Sequence, residues 1–443
     1  MPRLGVFCPV VVTGGVDNFL RGLLETLSTL TEAEEWNIVL FIPTTSTAGY
    51  PISWPDELAN DRLSVVRINE GTLSRGVHYA VNKARYLKRT WTTPAFRKTS
   101  AVVRRFGVDV TGACLLPKQS WIRAACITEK IDVAYFGYPF QIDFPNPGVP
   151  VVCTPHDFNF THFPWPDPDR QQLVVNQTLG WLSNSNRVVV SSEFIAEEAR
   201  RLLPTVSSRL EVVRLGAPTP IKAPTPADIE TTRKKLDLPE RFVLTVARVE
   251  PHKNHVVIPP AFRILRNAGE NIPIVLVGSN VNILGAKSIR STTKAATFAK
   301  RVQNEIEAAG LVVGKDVYLR QWVSDHELDC LYRMATLLLM PTLYEAGSFP
   351  VREALRVGCP VAVSRIPSLV EEDSLLGGMM WMFDPNDPED LAQILLEMLS
   401  NYDVTRERAS LGAARVTEVF SWHTCGLGYL GAFETAYNHG SPS

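Results

Sequence analysis

Short apolar runs alternate with amphipathic segments along the chain and predict strands and helices in turn. In the first half, apolar runs stand at 4–12, 38–42, 133–136, 151–154 and 188–191. Between the first two runs, Phe19 and a series of leucines recur at helical spacing. Because strands that alternate with helices form βαβ units, this half is predicted to be an α/β domain with a parallel sheet.

The alternation stops at a proline-rich stretch, 217–226, and then starts again. Neither a helix interior nor a central strand tolerates so many prolines, so the stretch predicts a linker. Beyond it, strands are predicted at 242–247, 274–278, 317–319, 337–340 and 361–364, and helices at 260–268, 325–334, 351–357, 391–399 and 409–419. The predicted organisation is a first α/β domain over 1–217, a linker over 218–234, a second α/β domain over 235–419 and a tail over 420–443.

Composition narrows the compartment and the class of partner. The chain has 443 residues and a formal net charge of −1, which gives no global reason to expect a nucleic acid partner. Its seven cysteines are scattered, which favours a reducing cytoplasm over a disulfide framework or a zinc site. Pro9 interrupts the run at 4–12 and no small-residue cleavage site follows, so a buried strand is predicted rather than a signal peptide.

Two glutamates eight residues apart carry the strongest chemical signal. Glu345 follows the predicted strand 337–340, and Glu353 lies in the first turns of the next predicted helix. Ligands of open α/β sheets bind outside the carboxyl ends of the strands. Two carboxylates at this position could therefore accept hydrogen bonds from the hydroxyl groups of a sugar-like ligand.

A pair of cations stands after another predicted strand. Arg248 and Lys253 follow the strand 242–247 at a spacing of five residues. Arginine binds phosphate oxygens bidentately, and lysine adds a compact positive charge. The pair is therefore a candidate site for a diphosphate, whose negative charge grows when a sugar leaves it.

The segment Tyr344-Glu-Ala-Gly-Ser-Phe-Pro-Val-Arg-Glu-Ala354 resembles the E-x7-E loop of retaining GT-B glycosyltransferases, in the large group called glycosyltransferase family 4. Arg248 and Lys253 match the diphosphate site of the same family. The resemblance implies an α/β protein of the GT-B fold, with two Rossmann-like, doubly wound parallel-sheet domains facing each other across a cleft. The first domain would bind the acceptor and the second the nucleotide-sugar, and the tail would be a helix that crosses back to the first domain.

The resemblance also implies roles for individual residues. Arg248 and Lys253 would stabilise the leaving diphosphate, Glu353 would hold the ribose, and Glu345 with His156 would orient the sugar. Further donor contacts are expected from glycine turns, from backbone N–H groups at a helix start and from a segment beside the base: Gly14, Gly15, Gly278, Ser279, Trp322, Val323, Gly347, Ser348 and Phe349. The chain departs from the family at Gly347 and Ser348, where many members have an aromatic residue and then glycine.

A metal-dependent alternative is disfavoured. Asp167-Pro-Asp169 imitates the Asp-x-Asp signature of the other large glycosyltransferase fold, GT-A, but it lies in a proline-rich loop rather than at a strand end. No metal and no cofactor are expected, because Arg248 and Lys253 already offer positive charge to the diphosphate.

The implied activity is retaining transfer of a hexose-type sugar, with mannose mildly favoured, from a nucleotide diphosphate sugar to an acceptor hydroxyl. The acceptor would be a glycan or a lipid-linked saccharide, in polysaccharide, lipopolysaccharide or glycolipid assembly. The basic, aromatic-dotted segment 83–105 is a candidate for peripheral contact with the inner face of the plasma membrane. The alternatives are a sugar-nucleotide epimerase or a phosphorylase on the same fold, or a non-catalytic protein that binds nucleotide or glycan.

Overall fold

The structure is a computed structural model, and it describes residues 1–8, 15–33, 35–43, 54–68, 116–139, 142–218, 223–286, 289 and 294–440. Gly14 and the basic segment 83–105, both singled out from the sequence, lie outside these ranges.

The first domain is built on a parallel sheet with the strand order β3-β2-β1-β4-β5-β6-β7. Its strands are β1 (Arg3–Phe7), β2 (Asn37–Pro43), β3 (Leu63–Ile68), β4 (Val133–Phe136), β5 (Val151–Cys153), β6 (Arg187–Val190) and β7 (Leu210–Val212). Its described helices are α1 (Gly15–Thr29), α2 (Trp54–Leu58), α3 (Leu116–Thr128), α4 (Asn159–His162), α5 (Pro168–Asn184) and α6 (Glu193–Leu202).

The second domain repeats the plan with the strand order β10-β9-β8-β11-β12-β13, again parallel. Its strands are β8 (Val243–Val246), β9 (Ile274–Val277), β10 (Val317–Arg320), β11 (Leu337–Met340), β12 (Val361–Ser364) and β13 (Trp381–Phe383). Its helices are α7 (Pro226–Lys235), α8 (Ile258–Asn267), α9 (Lys294–Ala308), α10 (Asp325–Met334), α11 (Phe349–Arg356), α12 (Pro367–Leu376), α13 (Pro388–Ser400) and α14 (Tyr402–Val419), and α15 (Trp422–Gly440) follows them.

Side-chain alternation explains why each sheet is covered on both faces. In β1, Leu4 and Val6 belong to one apolar cluster and Phe7 to the cluster on the opposite face, as the two-residue period of a strand requires. The second sheet likewise lies between two clusters. Continuous burial of strands such as β11 is typical of parallel sheets with helices on both faces.

The last helix belongs to the first domain in space. Tyr429 and Phe433 of α15 lie in the cluster formed by α1 and β1, and the hydroxyl groups of Tyr429 and Thr154 are 3.0 Å apart in the core. The end of the first sheet domain and the start of the return to it lie side by side: the N–H of Ala217 donates to the carbonyl of Phe420 at 2.8 Å.

The stretch predicted as a linker contains a helix. Thr225 and Asp228 cap the start of α7 reciprocally, and α7 packs against α10 of the second domain. The prolines therefore end at the first residue of a helix, where the missing N–H of proline costs nothing.

Candidate active site

The central contact is an ion pair between Lys253 and Glu345. Lys253 ends a short 3₁₀ turn, Pro251–Lys253, that follows β8, and Glu345 lies in the loop between β11 and α11. Since β8 and β11 are parallel neighbours, their carboxyl ends meet at one edge of the sheet. Lys253 Nζ lies 2.5 Å from Glu345 Oε1, and the two side chains are only 18% and 11% exposed. The cation and the carboxylate predicted from separate motifs are thus in direct contact.

The first domain contributes Asp157, which interacts electrostatically with this pair. Asp157 is exposed at the surface of the first domain, and partial desolvation by the surrounding protein raises the pKa of its carboxyl. Lys253 lowers that pKa and Glu345 raises it, to a smaller extent. Asp157 of the first domain therefore lies within the electrostatic range of the ion pair in the second domain.

His156 is held as a neutral acceptor. Its Nε2 lies 2.7 Å from the carbonyl of Gly137, and because a carbonyl only accepts, Nε2 carries the proton. Burial lowers the pKa of His156 from 6.5 to about 4. At neutral pH the ring is therefore uncharged, and Nδ1 is its acceptor nitrogen.

Arg248 follows β8 and lies beside the turn after β9, where the backbone requires glycine at position 278. Its guanidinium forms a partly exposed pair with Glu250 at 3.4 Å and lowers the pKa of Tyr138 in the first domain, against the larger effect of burial. Gly278 has φ of +143°, and a Cβ there would lie 2.5 Å from the carbonyl oxygen of Ala247. Gly278 therefore lets the turn after β9 approach the backbone just before Arg248.

Glu353 lies on α11, the helix that directly follows the loop carrying Glu345. The hydroxyl of Tyr332 donates to Glu353 Oε2 at 2.7 Å. Burial raises the pKa of Glu353 from 4.5 to about 7, although the Tyr332 bond opposes the shift. A desolvated carboxylate poised near neutrality can accept hydrogen bonds from vicinal hydroxyl groups.

The departure at Gly347 and Ser348 has a physical reason. Below this loop, Arg352 and Glu372 form a buried ion pair, and a Cβ at Gly347 would lie 3.0 Å from the Arg352 guanidinium. Burial raises the pKa of Glu372, and a hydrogen bond from the backbone N–H of Ser348 opposes this shift to a smaller extent. This N–H therefore faces the carboxylate below the loop. Phe349 reaches across the cleft, where a Cβ on Gly15 would lie 3.6 Å from its ring.

The second domain matches a known family. Residues 228–415 match the model described as "Glycosyl transferases group 1". The second domain belongs to the glycosyltransferase group 1 family. The predictions of glycosyltransferase family 4, of the GT-B fold and of a glycosyltransferase as the enzyme class are thereby confirmed.

Relatives of this group 1 glycosyltransferase include mannosyltransferases. The O-antigen chain mannosyltransferase B of Escherichia coli is 24% identical over 320 residues, which cover 72% of this chain and 77% of that protein. The serotype-specific mannosyltransferase WbdA of Escherichia coli is 24% identical over 64% of this chain but only 33% of WbdA. The chain thus spans about a third of the length of that relative.

Solved structures agree on the fold of this glycosyltransferase. Sucrose-phosphate synthase from Thermosynechococcus elongatus superposes with a TM-score of 0.68 at 18% identity, over 99% of this chain and 100% of that one. A likeness at this level of identity shows the fold alone. Within the described ranges, no helix of the glycosyltransferase is both long and apolar enough to span a membrane.

The remaining predicted residues of the glycosyltransferase lie at the edges of the site. The carbonyl of Ser279 accepts from the N–H of Val249 at 3.1 Å, next to Arg248. Trp322 is 81% exposed, whereas Val323 packs against the core of the second domain. Asp167 caps α5 through the N–H of Asp169, and within the described part of the glycosyltransferase no cluster of His, Cys, Asp or Glu could hold a metal ion.

Sequence reasoning missed several residues that shape the site of this glycosyltransferase. Arg352 is 2% exposed, yet in a helical pattern an arginine beside Glu353 reads as a solvent-facing residue. Its guanidinium also donates to the carbonyl of Leu215 at 2.9 Å and lies 4.0 Å from the ring of Phe420. The departure at Gly347 was the one sequence signal that pointed to Arg352, because the missing side chain leaves room for the guanidinium.

Proposed function

We propose that this glycosyltransferase transfers a hexose, most favourably mannose, from a nucleotide diphosphate sugar to an acceptor hydroxyl with retention of configuration. The observation that carries the proposal is the half-buried contact of Lys253 with Glu345, with Asp157 of the first domain within electrostatic range of the pair. The names of the mannosyltransferase relatives support the choice of sugar.

Arg248 and Lys253 stabilise the leaving group. When the bond between the anomeric carbon and the phosphate oxygen breaks, negative charge builds up on the diphosphate. Cations fixed in a partly desolvated cleft stabilise that charge more in the transition state than in the ground state. Lys253 is held in place by Glu345, so little reorganisation is needed during the reaction.

Glu345 and His156 orient the sugar, and Glu353 anchors the nucleotide. Carboxylate oxygens of Glu345 and the Nδ1 of neutral His156 accept hydrogen bonds from sugar hydroxyl groups. Glu353, ionised above its pKa of about 7, accepts from the ribose hydroxyl groups. Gly15, Gly278 and the 347–349 loop bring backbone close to the donor.

Retention follows from attack on the face that the diphosphate leaves. The acceptor oxygen forms a bond to the anomeric carbon, the carbon–phosphate oxygen bond breaks, and the acceptor proton passes to the departing phosphate oxygen. The products are the α- or β-glycoside with the configuration of the donor, and a nucleoside diphosphate. The acceptor is a glycan or lipid-linked saccharide, bound on the first domain.

Two measurements test the proposal. A thermal-shift screen of UDP, GDP, ADP and dTDP identifies the base, because a ligand that binds only the folded protein raises Tm by mass action. Incubation with the matching nucleotide-sugars, with and without saccharide acceptors, then measures release of nucleoside diphosphate and the anomeric configuration of the product.

The outcomes separate the alternatives. Acceptor-dependent release with retention supports transfer. Release that needs no acceptor supports an epimerase, formation of a sugar phosphate from free phosphate supports a phosphorylase, and nucleotide binding with no turnover of any donor supports a non-catalytic protein.

Membrane contact is a separate part of the proposal. The segment 83–105 carries eight lysines and arginines and no acid, so it suits an anionic lipid surface on the cytoplasmic side. Co-sedimentation with vesicles of phosphatidylcholine and phosphatidylserine, but not of phosphatidylcholine alone, is expected. Equal sedimentation with both would remove the electrostatic contact.

A further inference from the structure

The two residues that flank Glu345 in the chain are held by the first domain. The hydroxyl of Tyr344 donates to Glu198 Oε2 at 2.5 Å and accepts from the N–H of Phe158 at 3.0 Å. The carbonyl of Ala346 accepts from the hydroxyl groups of Ser191 and Ser192, each at 3.3 Å. The sugar-binding loop of the second domain therefore takes part of its shape from the first.

Burial makes the tyrosine contact specific. Tyr344 is 5% exposed and lies in an apolar cluster of the first domain, although its backbone belongs to the second. Glu198 is also buried, and its second oxygen contacts His162 Nε2. Burial raises the pKa of Tyr344 further above its usual value, so the hydroxyl stays protonated as a donor to Glu198.

A second contact docks the same helix of the first domain. Glu371 of α12 accepts from the N–H groups of Glu193 and Phe194, both at 3.0 Å, and pairs with Arg214 at 3.4 Å. A carboxylate at a helix N-terminus satisfies donors that have no partner within the helix and complements the helix dipole. Helix α6 is thus held at its first turn by Glu371 and at Glu198 by Tyr344.

We propose that α6 positions Glu345, so that recognition of the donor sugar is completed only when the first domain docks on the second. Tyr344, Glu198 and Glu371 are positioning residues in this scheme. Arg248 and Glu353 belong to the second domain alone, so binding of the nucleoside diphosphate does not require docking. The inference rests on the proposed function for the identity of the donor.

The test compares the nucleoside diphosphate with the intact nucleotide-sugar. Tyr344→Phe keeps the ring in its cluster and removes the bonds to Glu198 and Phe158. We expect the Kd of the nucleoside diphosphate to stay within about twofold. The added affinity contributed by the sugar, and kcat, are expected to fall by about tenfold, as loss of a hydrogen bond to a charged group predicts.

Tyr402→Phe is the matched control. It removes a hydroxyl whose bond, to the carbonyl of Thr336 at 3.2 Å, lies within the second domain. We expect Tm to fall while the ratio of the affinities for nucleotide-sugar and nucleoside diphosphate stays unchanged. Glu371→Ala should reproduce the effect of Tyr344→Phe, because Glu371 acts on α6 and not on the loop.

Coupling between the partners gives a further check. Since Tyr344 and Glu198 act through one bond, the double variant Tyr344→Phe/Glu198→Gln should be no more impaired than the more impaired single variant. Fully multiplicative losses would overturn the proposal, and so would an equal weakening of nucleoside diphosphate and nucleotide-sugar binding in Tyr344→Phe.

Hydrogen exchange decides the matter independently of activity. Amides of 345–349 should exchange about tenfold faster in Tyr344→Phe and in Glu371→Ala than in the unsubstituted protein or in Tyr402→Phe. If no donor is turned over but this loop loses protection, the proposed function fails and the positioning by α6 stands. If the donor is turned over and exchange of the loop is unchanged in both variants, the positioning fails and the proposed function stands.

Discussion

The two domains contribute to the same cleft in different ways. In the second domain, the charged residues of the site come from two short segments directly after β8 and β11, and the family match, 228–415, lies within this half of the chain. The first domain contributes Tyr138, the adjacent pair His156 and Asp157, and the start of α6, which lie on three separate segments. Donor chemistry is therefore local in sequence, whereas the facing wall exists only in the folded protein.

Energetics follow the same division. The second domain supports its loop with two pairs of its own, Lys253–Glu345 and Arg352–Glu372. The first domain adds hydrogen bonds that involve Glu198 and Glu371, and each of these carboxylates keeps another partner, His162 or Arg214, when the bond is lost. Changes in the second domain should therefore have the larger effects.

Removal of Lys253, the cation proposed to stabilise the leaving group, is the most direct test of the second domain's role. Lys253→Ala is expected to lower kcat by about 10³-fold, or about 4 kcal/mol, because charge on the diphosphate loses its partner. Steady-state release of nucleoside diphosphate measures the effect. Lys235→Ala, which breaks a surface pair with Glu327, is the control and should stay within about twofold. Near-normal turnover of Lys253→Ala would remove the diphosphate assignment.

Loss of the buried arginine tests how firmly the second domain holds its own loop. Arg352→Met should lower the free energy of unfolding by about 3 kcal/mol, because Glu372 is left buried without its cation. Chemical denaturation measures the change, and Arg352→Met/Glu372→Leu should recover part of it. Arg365→Met, at an exposed arginine, should change stability by less than about 0.5 kcal/mol. Equal effects at the two arginines would contradict the structural role of Arg352.

The glycine behind Arg248 tests backbone geometry. Gly278→Ala should lower the free energy of unfolding by about 2 kcal/mol, because the new Cβ meets the backbone of Ala247 and φ is positive. The control is Gly269→Ala, where φ is also positive but no atom lies near the new Cβ. It should cost about 1 kcal/mol. A control as damaging as Gly278→Ala would leave only the dihedral angle as the cause.

Glu353 in the second domain and His156 in the first should change protein stability with pH in opposite directions. Since the pKa of Glu353 is raised to about 7, kcat/KM for the donor should fall as pH drops below 7, and Glu353→Gln should flatten this profile with a loss of about tenfold at pH 8. The stability of the folded protein has the opposite pH dependence. The raised pKa contributes stability that is fully present below about pH 4.5 and is lost as pH rises from 4.5 to about 7.

His156 in the first domain has the opposite shift. Because its folded pKa is lowered to about 4, its contribution to stability is lost as pH falls from about 6.5 toward 4. Thermal unfolding of Glu353→Gln and His156→Gln between pH 4 and 8 resolves the two signs. The Tm difference from the unsubstituted protein should change as pH rises from about 4.5 to about 7 for the first variant, and as pH falls from about 6.5 to about 4 for the second.

The smallest effect on stability and binding is expected for Trp322, at the edge of the candidate site. Trp322 is 81% exposed, so Trp322→Ala should change the free energy of unfolding by less than about 0.5 kcal/mol. If the base stacks on it, nucleotide affinity should still fall by about fivefold, near the low end of base–aromatic stacking. Calorimetry of nucleoside diphosphate binding measures this, and unchanged affinity would place the base elsewhere.

Elements with strong periodicity were predictable from the sequence. The strands at 133–136, 337–340 and 361–364 and the helix at 325–334 have the predicted bounds. The three-residue strands β7 and β13 were not predicted, because three residues are too few to show a period. Helix α7 was not predicted because prolines precede it, although its capping pair, Thr225 and Asp228, is a sequence pattern typical of a helix start.

The candidate site was predictable only where its residues share a segment. Lys253 and Glu345 could be placed together because a parallel sheet brings the ends of neighbouring strands together. Tyr344 and Glu198 are 146 residues apart, and no periodicity links them. Their contact depends on how one domain sits against the other, which single-sequence patterns do not encode.

The position of α15 has a consequence for how this protein is made. Tyr429 and Phe433 complete the core around α1 and β1, yet they are translated after the whole second domain. The core of the first domain therefore cannot be completed until α15 has left the ribosome. An amino-terminal fragment cut at the crossing point would expose the surface that α15 covers, so co-expression of the two halves is a more promising route than isolation of either one.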